Sequence, residues 1–156
     1  MSEDEIRKIA PALAAGNSIV IKPASKTPLI LVKMLDIFKR AGLPENVVQL
    51  VIGSGREIGD ELVTNDSIKA ISFTGSVPIG KHIYKKAGNK EVMVRVQLEL
   101  GGKNALYVDK DSDMSKAAEF TVRGAFGLTG QSCTATSRLL VHEAVYDDLR
   151  HCDLIT

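Results

Sequence analysis

The sequence has few of the residues on which several protein classes depend. Its 156 residues include two cysteines, no tryptophan and 4% aromatic side chains. Cys133 and Cys152 have no companion His/Cys cluster at ligand spacing, which argues against a disulfide framework and against zinc or any other metal. We therefore expect a protein of the reducing cytoplasm.

Excess charge and long apolar runs are lacking as well. The formal net charge is +1, from 20 basic and 19 acidic residues, so long-range attraction to a polyanion is not expected. No stretch approaches the roughly 18 apolar residues of a membrane span, and the acidic segment Met1–Ile6 is unlike a secretory leader. We expect neither nucleic acid nor a membrane as a partner.

From about residue 18 the sequence alternates short β-branched runs with helical patterns. With 44% hydrophobic residues the chain can bury a core. The alternation predicts an α/β fold, a doubly wound, Rossmann-like parallel sheet covered by crossover helices. Strands are predicted at 18–22, 47–52, 70–73, 92–100, 105–108 and 138–142, and helices at 28–41, 57–63, 78–88, 114–126 and 144–149.

Two residues are candidates for chemistry. Glu99 ends an alternating run on its more polar face, at a sheet edge where ligands usually bind; an ordinary exposed acid is an equally good interpretation. Cys133 follows the glycine-rich segment Gly127–Gly130. A lone cysteine is more often a small core residue, and a nucleophile would need a nearby base or a lowered pKa.

Two glycine patterns lie between a predicted strand and a helix, where helix amides can meet a phosphate. Gly53, Gly55 and Gly59 have one residue too many for the dinucleotide fingerprint, and the run from Gly75 to Gly80 lacks its middle glycine. Each pattern alone is equally consistent with a tight turn. Lys22, at the end of the first strand, could meet a ribose or phosphate or be a solvated lysine.

Taken together, these segments resemble the aldehyde dehydrogenase superfamily over about residues 7–149. The resemblance overrides the structural alternatives for the single residues. The sequence is most similar to the subgroup acting on semialdehydes such as 2-oxoglutarate semialdehyde (2,5-dioxopentanoate). Succinate semialdehyde and lactaldehyde dehydrogenases are the alternative subgroups. The matching segments are 11–17, 22–24, 41–44, 73–76, 98–103 and 130–133.

The resemblance implies a small aldehyde substrate and assigns the two catalytic roles. Cys133 would attack the aldehyde as the nucleophile, and Glu99 would activate water as the general base. The backbone N–H of Cys133 would hold part of the oxyanion. The cofactor would be NAD(P), and a serine at position 25 beside Lys22 and Lys26 favours NADP over NAD. The implied cofactor contacts are Lys22, Ser25, Gly55, Gly59, Phe73, Thr74, Gly75, Ser76, Ile79 and Leu100.

The resemblance also predicts a fragment. Residues 1–101 would be part of a dinucleotide-binding domain, and residues 102–156 the start of the catalytic domain. Family members are homo-oligomers about three times as long, so the asparagine that completes the oxyanion hole, the glutamate that binds the nicotinamide ribose and the oligomerisation strands are expected outside this sequence. The alternative function is therefore an inactive remnant, from a truncated or frame-shifted gene, that at most binds nucleotide weakly or docks on a full-length subunit.

Overall fold

A computed structural model of the chain describes residues 2–152, with side chains from residue 5 onward. Helices and strands alternate along the chain, as the α/β prediction requires, except that β4 is followed directly by β5. Within the described residues no helix is long and apolar enough to cross a membrane. The elements are α1 (Ser2–Ala14), β1 (Ile19–Ile21), α2 (Leu29–Arg40), β2 (Val48–Leu50), α3 (Gly55–Thr64), β3 (Ala70–Gly75), α4 (Val77–Gly88), β4 (Arg95–Leu100), β5 (Asn104–Val108), α5 (Met114–Phe126), β6 (Thr136–Val141) and α6 (Tyr146–Arg150).

The predicted α/β class is confirmed. Each of the six predicted strands and five predicted helices has a counterpart in the expected order. The six strands pair in three two-stranded sheets, β1–β2, β3–β4 and β5–β6.

The chain divides into two compact units. The first contains the residues up to Phe73 together with Lys81–Gln97, and the second contains Thr74–Gly80 together with the residues from Leu98 onward. The assignment of residues 1–101 and 102–156 to a cofactor domain and a catalytic domain stays a prediction.

In the first unit, β1 and β2 are parallel neighbours joined by the crossover helix α2. Ile19 pairs with Val48 and Ile21 with Leu50, so the two strands end at the same edge of their sheet. Ile9, Leu31 and Met34 are buried and form the core beneath this pair, where Leu13, Ile19, Ile21, Phe38 and Leu50 pack against them.

In the second unit, β5 and β6 are parallel neighbours joined by α5. Asn104 pairs with Thr136, but Ala105 pairs with Arg138, so Ser137 is an extra residue in β6 at the start of the ladder. Such a bulge interrupts the ladder hydrogen bonds locally. The core of this unit consists of Val108, Ala117, Ala118 and Leu149.

Candidate active site

A left-handed turn separates α5 from Cys133. Leu128, Thr129 and Gly130 have φ values of 52°, 56° and 69°. Only glycine adopts this region without a steric penalty, and a β-branched residue adopts it rarely. The turn is held by the Gln131 N–H, which donates to the Leu128 carbonyl at 3.0 Å. Backbone strain of this kind is concentrated at functional sites in folded proteins.

Cys133 lies in the next turn, and its side chain is exposed. The Ala135 N–H donates to the Ser132 carbonyl at 3.1 Å, which closes a four-residue turn with Cys133 and Thr134 at its centre. The Ser132 and Thr134 hydroxyls are 2.9 Å apart and add a side-chain hydrogen bond. Cys133 is thus presented on an exposed turn rather than packed in the interior, and its role as the nucleophile stays a prediction.

Asn104 ties this turn to β5. Its side-chain amide donates to the Cys133 carbonyl at 2.7 Å and to the Ala135 carbonyl at 3.2 Å. Beside it, the Arg138 guanidinium donates twice to the Lys103 carbonyl, at 3.1 and 2.9 Å. Neither Asn104 nor Arg138 was assigned a role from the sequence. The sequence showed only a polar residue near the start of each of the two strands β5 and β6, which many strands have.

Glu99 is the penultimate residue of β4. Exposed and half-buried residues alternate along this strand, and Glu99 lies on the exposed face, as the alternation predicted. The chain then runs through Gly101–Lys103 into Asn104. The structure thus brings the segment that follows Glu99 to the Cys133 turn.

Leu100, next to Glu99, fixes how closely α4 approaches β4 within the second unit. Gly80 is buried, and a Cβ at this position would lie 2.6 Å from the Leu100 side chain. No real Cβ tolerates that distance, so glycine is required at position 80 unless Leu100 moves. The glycine of this pattern therefore serves helix–strand packing.

The two glycine patterns, which the sequence did not distinguish, differ in the charge at the start of the helix that follows each. At the start of α3, the Ser54 N–H donates to the Glu57 carboxylate at 3.0 Å, and the Glu57 N–H donates to the Ser54 hydroxyl at 3.3 Å. The hydrogen bonds from Ser54 hold the pKa of Glu57 below its ordinary value of 4.5. This capping box places a carboxylate at the helix start and disfavours a second anion there.

The start of α4 differs in charge. Its first turn contains no acidic residue, and the residues from Thr74 to Ile79 are exposed. The Gly80 N–H donates to the Ser76 carbonyl at 2.9 Å, which begins the helix. The amides of this turn and the helix dipole are therefore suited to an anion such as a phosphate.

Lys22 and Ser25 follow β1. The Lys22 ammonium donates to the Pro23 carbonyl at 2.7 Å, and the Thr27 N–H closes a turn on the Ala24 carbonyl at 3.0 Å with Ser25 exposed at its tip. Because β1 and β2 are parallel and in register, this turn and the start of α3 leave the same edge of the sheet.

The candidate residues thus fall into two groups, and their roles stay predictions. Those in the first unit are Lys22, Ser25, Gly55, Gly59 and Phe73; those in the second are Thr74, Gly75, Ser76, Ile79, Glu99, Leu100 and Cys133. Among the described residues no three His, Cys, Asp or Glu side chains are grouped so that they could hold a metal ion.

Comparison with known proteins identifies relatives for nearly the whole chain. A 2,5-dioxopentanoate dehydrogenase of Saccharolobus solfataricus is 62% identical over 143 residues, which cover 92% of this chain and 30% of that protein. The chain therefore spans about a third of the length of the relatives that it matches.

Solved structures agree with this result. The betaine aldehyde dehydrogenase of Staphylococcus aureus in complex with NAD+ superposes with a TM-score of 0.87 at 36% identity, covering 95% of this chain and 28% of that one. An NADP dependent enzyme of E. coli superposes with a TM-score of 0.88 at 38% identity, covering 96% and 30%. The family model for the aldehyde dehydrogenase family matches residues 5–152. The resemblance seen in the sequence is confirmed, and the chain belongs to the aldehyde dehydrogenase family.

Proposed function

We propose that this chain carries the catalytic thiol, the general base and part of the cofactor site of an NAD(P)-dependent semialdehyde dehydrogenase that oxidises 2,5-dioxopentanoate to the carboxylate. One observation carries the proposal. The exposed thiol of Cys133 lies on a turn bonded through Asn104 to the segment that follows Glu99, at 2.7 Å. A nucleophile and a carboxylate base are thus held on connected, short segments of one unit.

The residues suit a two-stage reaction. The Cys133 thiolate attacks the aldehyde carbon, forms a C–S bond and leaves negative charge on the aldehyde oxygen. The nicotinamide, when bound, supplies the acceptor for the hydride that leaves this carbon. Loss of this hydride leaves a thioester on Cys133, and its carbonyl carbon is two electrons more oxidised than the aldehyde carbon. Glu99 then takes a proton from water, the water attacks the thioester, and the C–S bond breaks to give the carboxylic acid and the free thiolate.

The charges at the start of α4 and at the turn after β1 support the proposed cofactor contacts. The start of α4, with Gly75 and Ser76, binds the pyrophosphate because its residues are exposed and its first turn has no acidic residue. Lys22 and Ser25 bind the adenosine ribose. Ser25 and Lys26 offer a hydroxyl and a cation at an exposed turn, where a 2′-phosphate is accepted, so NADP is the preferred cofactor and NAD the alternative.

The choice of substrate is supported by the 62% identity to a 2,5-dioxopentanoate dehydrogenase. Succinate semialdehyde and lactaldehyde are the alternative substrates. A second candidate function is nucleotide binding, or docking on a longer subunit, without turnover.

The test is an assay of the purified chain at 340 nm with 2,5-dioxopentanoate and NADP or NAD. We expect turnover that Cys133→Ala abolishes and that Cys152→Ala leaves intact, because Cys152 is half-buried against the Leu149 core and lies outside the proposed site. A folded chain that binds NADP without reducing it, and whose Cys133 gains no acyl group by mass spectrometry, would contradict catalysis and favour the second candidate.

A further inference from the structure

We propose that Asn104 is the positioning residue of the nucleophile: its side-chain amide holds the Cys133 turn in its reactive conformation. The inference rests on the proposed function in that it takes Cys133 to be the nucleophile. Asn104 acts through the backbone of the turn and is not itself a catalytic residue.

Both hydrogens of the Asn104 side-chain nitrogen have acceptors in the Cys133 turn. The two acceptors are the carbonyls of Cys133 and Ala135, at 2.7 and 3.2 Å. The Asn104 side-chain oxygen lies beside Gly102, since a Cβ at Gly102 would be 3.2 Å from it. Both carbonyls belong to the turn that presents the thiol, so a single side chain fixes two peptide planes on either side of Thr134.

The register of the sheet explains why such a tie is needed. Asn104 pairs with Thr136, and the pairing slips at the next position, where Ser137 is the extra residue. The turn therefore enters β6 through a bulge, where backbone hydrogen bonds are interrupted. The side chain of Asn104 supplies hydrogen bonds to the turn next to this irregularity in the ladder.

The chemistry of the position favours a primary amide. An ionised aspartate of the same shape has no donor and would set its charge against two carbonyl oxygens, whereas an alanine removes both bonds. Asn104→Asp and Asn104→Ala therefore separate hydrogen bonding from volume. Asn17→Ala is the matched control, because the Asn17 amide also donates to a backbone carbonyl, that of Ala12 at 3.0 Å, in the first unit.

The first readout is amide hydrogen exchange of the full chain. The Ala135 N–H, which closes the turn, should exchange roughly tenfold faster in Asn104→Ala, because two hydrogen bonds are lost. The His142 N–H, which donates to Val108 at the far end of the same sheet at 2.9 Å, should be unchanged, as should both amides in Asn17→Ala. Unchanged exchange at Ala135 would overturn the proposal.

If Asn104→Ala destabilises the whole second unit, exchange at Ala135 no longer reports on the turn alone. Asn104→Asp then tests whether hydrogen-bond donation from position 104 protects Ala135. The introduced carboxyl can donate only when protonated, so protection at Ala135 should be low at about pH 7 and recover toward about pH 4, after correction for intrinsic exchange. Wild-type protection at neutral pH would mean that volume alone matters, and no recovery on acidification would mean that donation from this side chain does not hold the turn. Either result would overturn the proposal.

The second readout is acylation of Cys133 by 4-nitrophenyl acetate, in a Cys152→Ser background and without nicotinamide. The thiolate forms a C–S bond, the ester C–O bond breaks, and 4-nitrophenolate leaves and is measured at 400 nm. We expect Asn104→Ala to lower the limiting rate roughly tenfold with little change in the half-saturating ester concentration. A looser turn with an unchanged rate would overturn positioning. Because no hydride is transferred, failure of dehydrogenation leaves this test intact.

Discussion

Ser25 shows how one exposed side chain could decide cofactor preference. It lies at the tip of the turn that the Thr27 N–H closes after β1. We expect Ser25→Glu to weaken NADP binding by about tenfold or more relative to NAD, because a carboxylate repels the 2′-phosphate but can bond ribose hydroxyls. Calorimetric titration of the chain with each dinucleotide measures the ratio.

Ser67→Glu is the matched control for charge. Ser67 is exposed in the loop between α3 and β3 of the same unit, and this change should leave the ratio of the two dissociation constants near its wild-type value. Equal effects of the two substitutions would show that net charge, rather than the turn at Ser25, sets the preference.

At the same scale, the sequence predicted the position of Glu99 on its strand but not the contacts of Asn104. Glu99 was correctly placed on the polar face of β4, since strand alternation depends only on local geometry. Asn104 was missed because its partners, Cys133 and Ala135, lie 29 and 31 positions away. The left-handed conformation of Leu128 and Thr129 was also invisible, because neither residue type favours it.

The approach of α4 to β4 depends on a single glycine. We expect Gly80→Ala to lower the free energy of unfolding by about 1–3 kcal/mol, because the new methyl group would overlap the Leu100 side chain. Urea denaturation followed by circular dichroism measures the loss.

A double-mutant cycle identifies the cause. In a Leu100→Ala background the space is already open, so the additional cost of Gly80→Ala should largely disappear. If Gly80→Ala costs the same in both backgrounds, contact with Leu100 is not the reason for glycine at this position.

At the scale of elements, prediction succeeded where hydrophobic periodicity was clear. The helices α2, α4 and α5 were found close to their predicted bounds, while β1 and β2 are three residues long where five and six were predicted. Strand ends depend on the pairing partner, which local sequence does not specify. The helix α1 was not predicted; it contains Pro11, which removes one helical hydrogen bond, and its burial of Ile9 depends on tertiary packing.

At the scale of the whole molecule, three carboxylates among the described residues tie stability to pH. Hydrogen bonds from His82 and then Lys86 hold the pKa of Asp60 below its ordinary value of 3.8. The Lys116 N–H acts in the same direction on the pKa of Asp113, and Ser54 does so for Glu57. Each group is exposed, so each effect is small and weakens with salt.

The direction of the pH dependence follows from these shifts. Since each pKa is lower in the folded state, the unfolded chain takes up protons first as pH falls, and folding is disfavoured. The stabilisation is present above the ordinary values, 4.5 for Glu57 and 3.8 for the two aspartates, and is lost as pH falls through the lower folded values. The urea midpoint should therefore fall progressively below about pH 5.

Asp60→Asn tests one contribution. It should lower the midpoint slightly near neutral pH and flatten the acid part of the curve, while Asp66→Asn, a change at an exposed aspartate outside the ion cluster, should leave the slope as in the wild type. A curve for Asp60→Asn parallel to that of the wild type at acid pH would show that the contacts at 2.6 Å to His82 and 3.1 Å to Lys86 do not persist in solution.

The crossover between β5 and β6 has a consequence for synthesis of the chain. Asn104 leaves the ribosome well before Cys133, 29 positions later, and the bonds between them cannot form until α5 has folded back and β6 has paired. Contacts of such sequence separation form late, because the intervening loop must close first. A nascent chain therefore exposes an ordinary, unordered cysteine, and the thiol gains its fixed geometry only when this βαβ segment has been released.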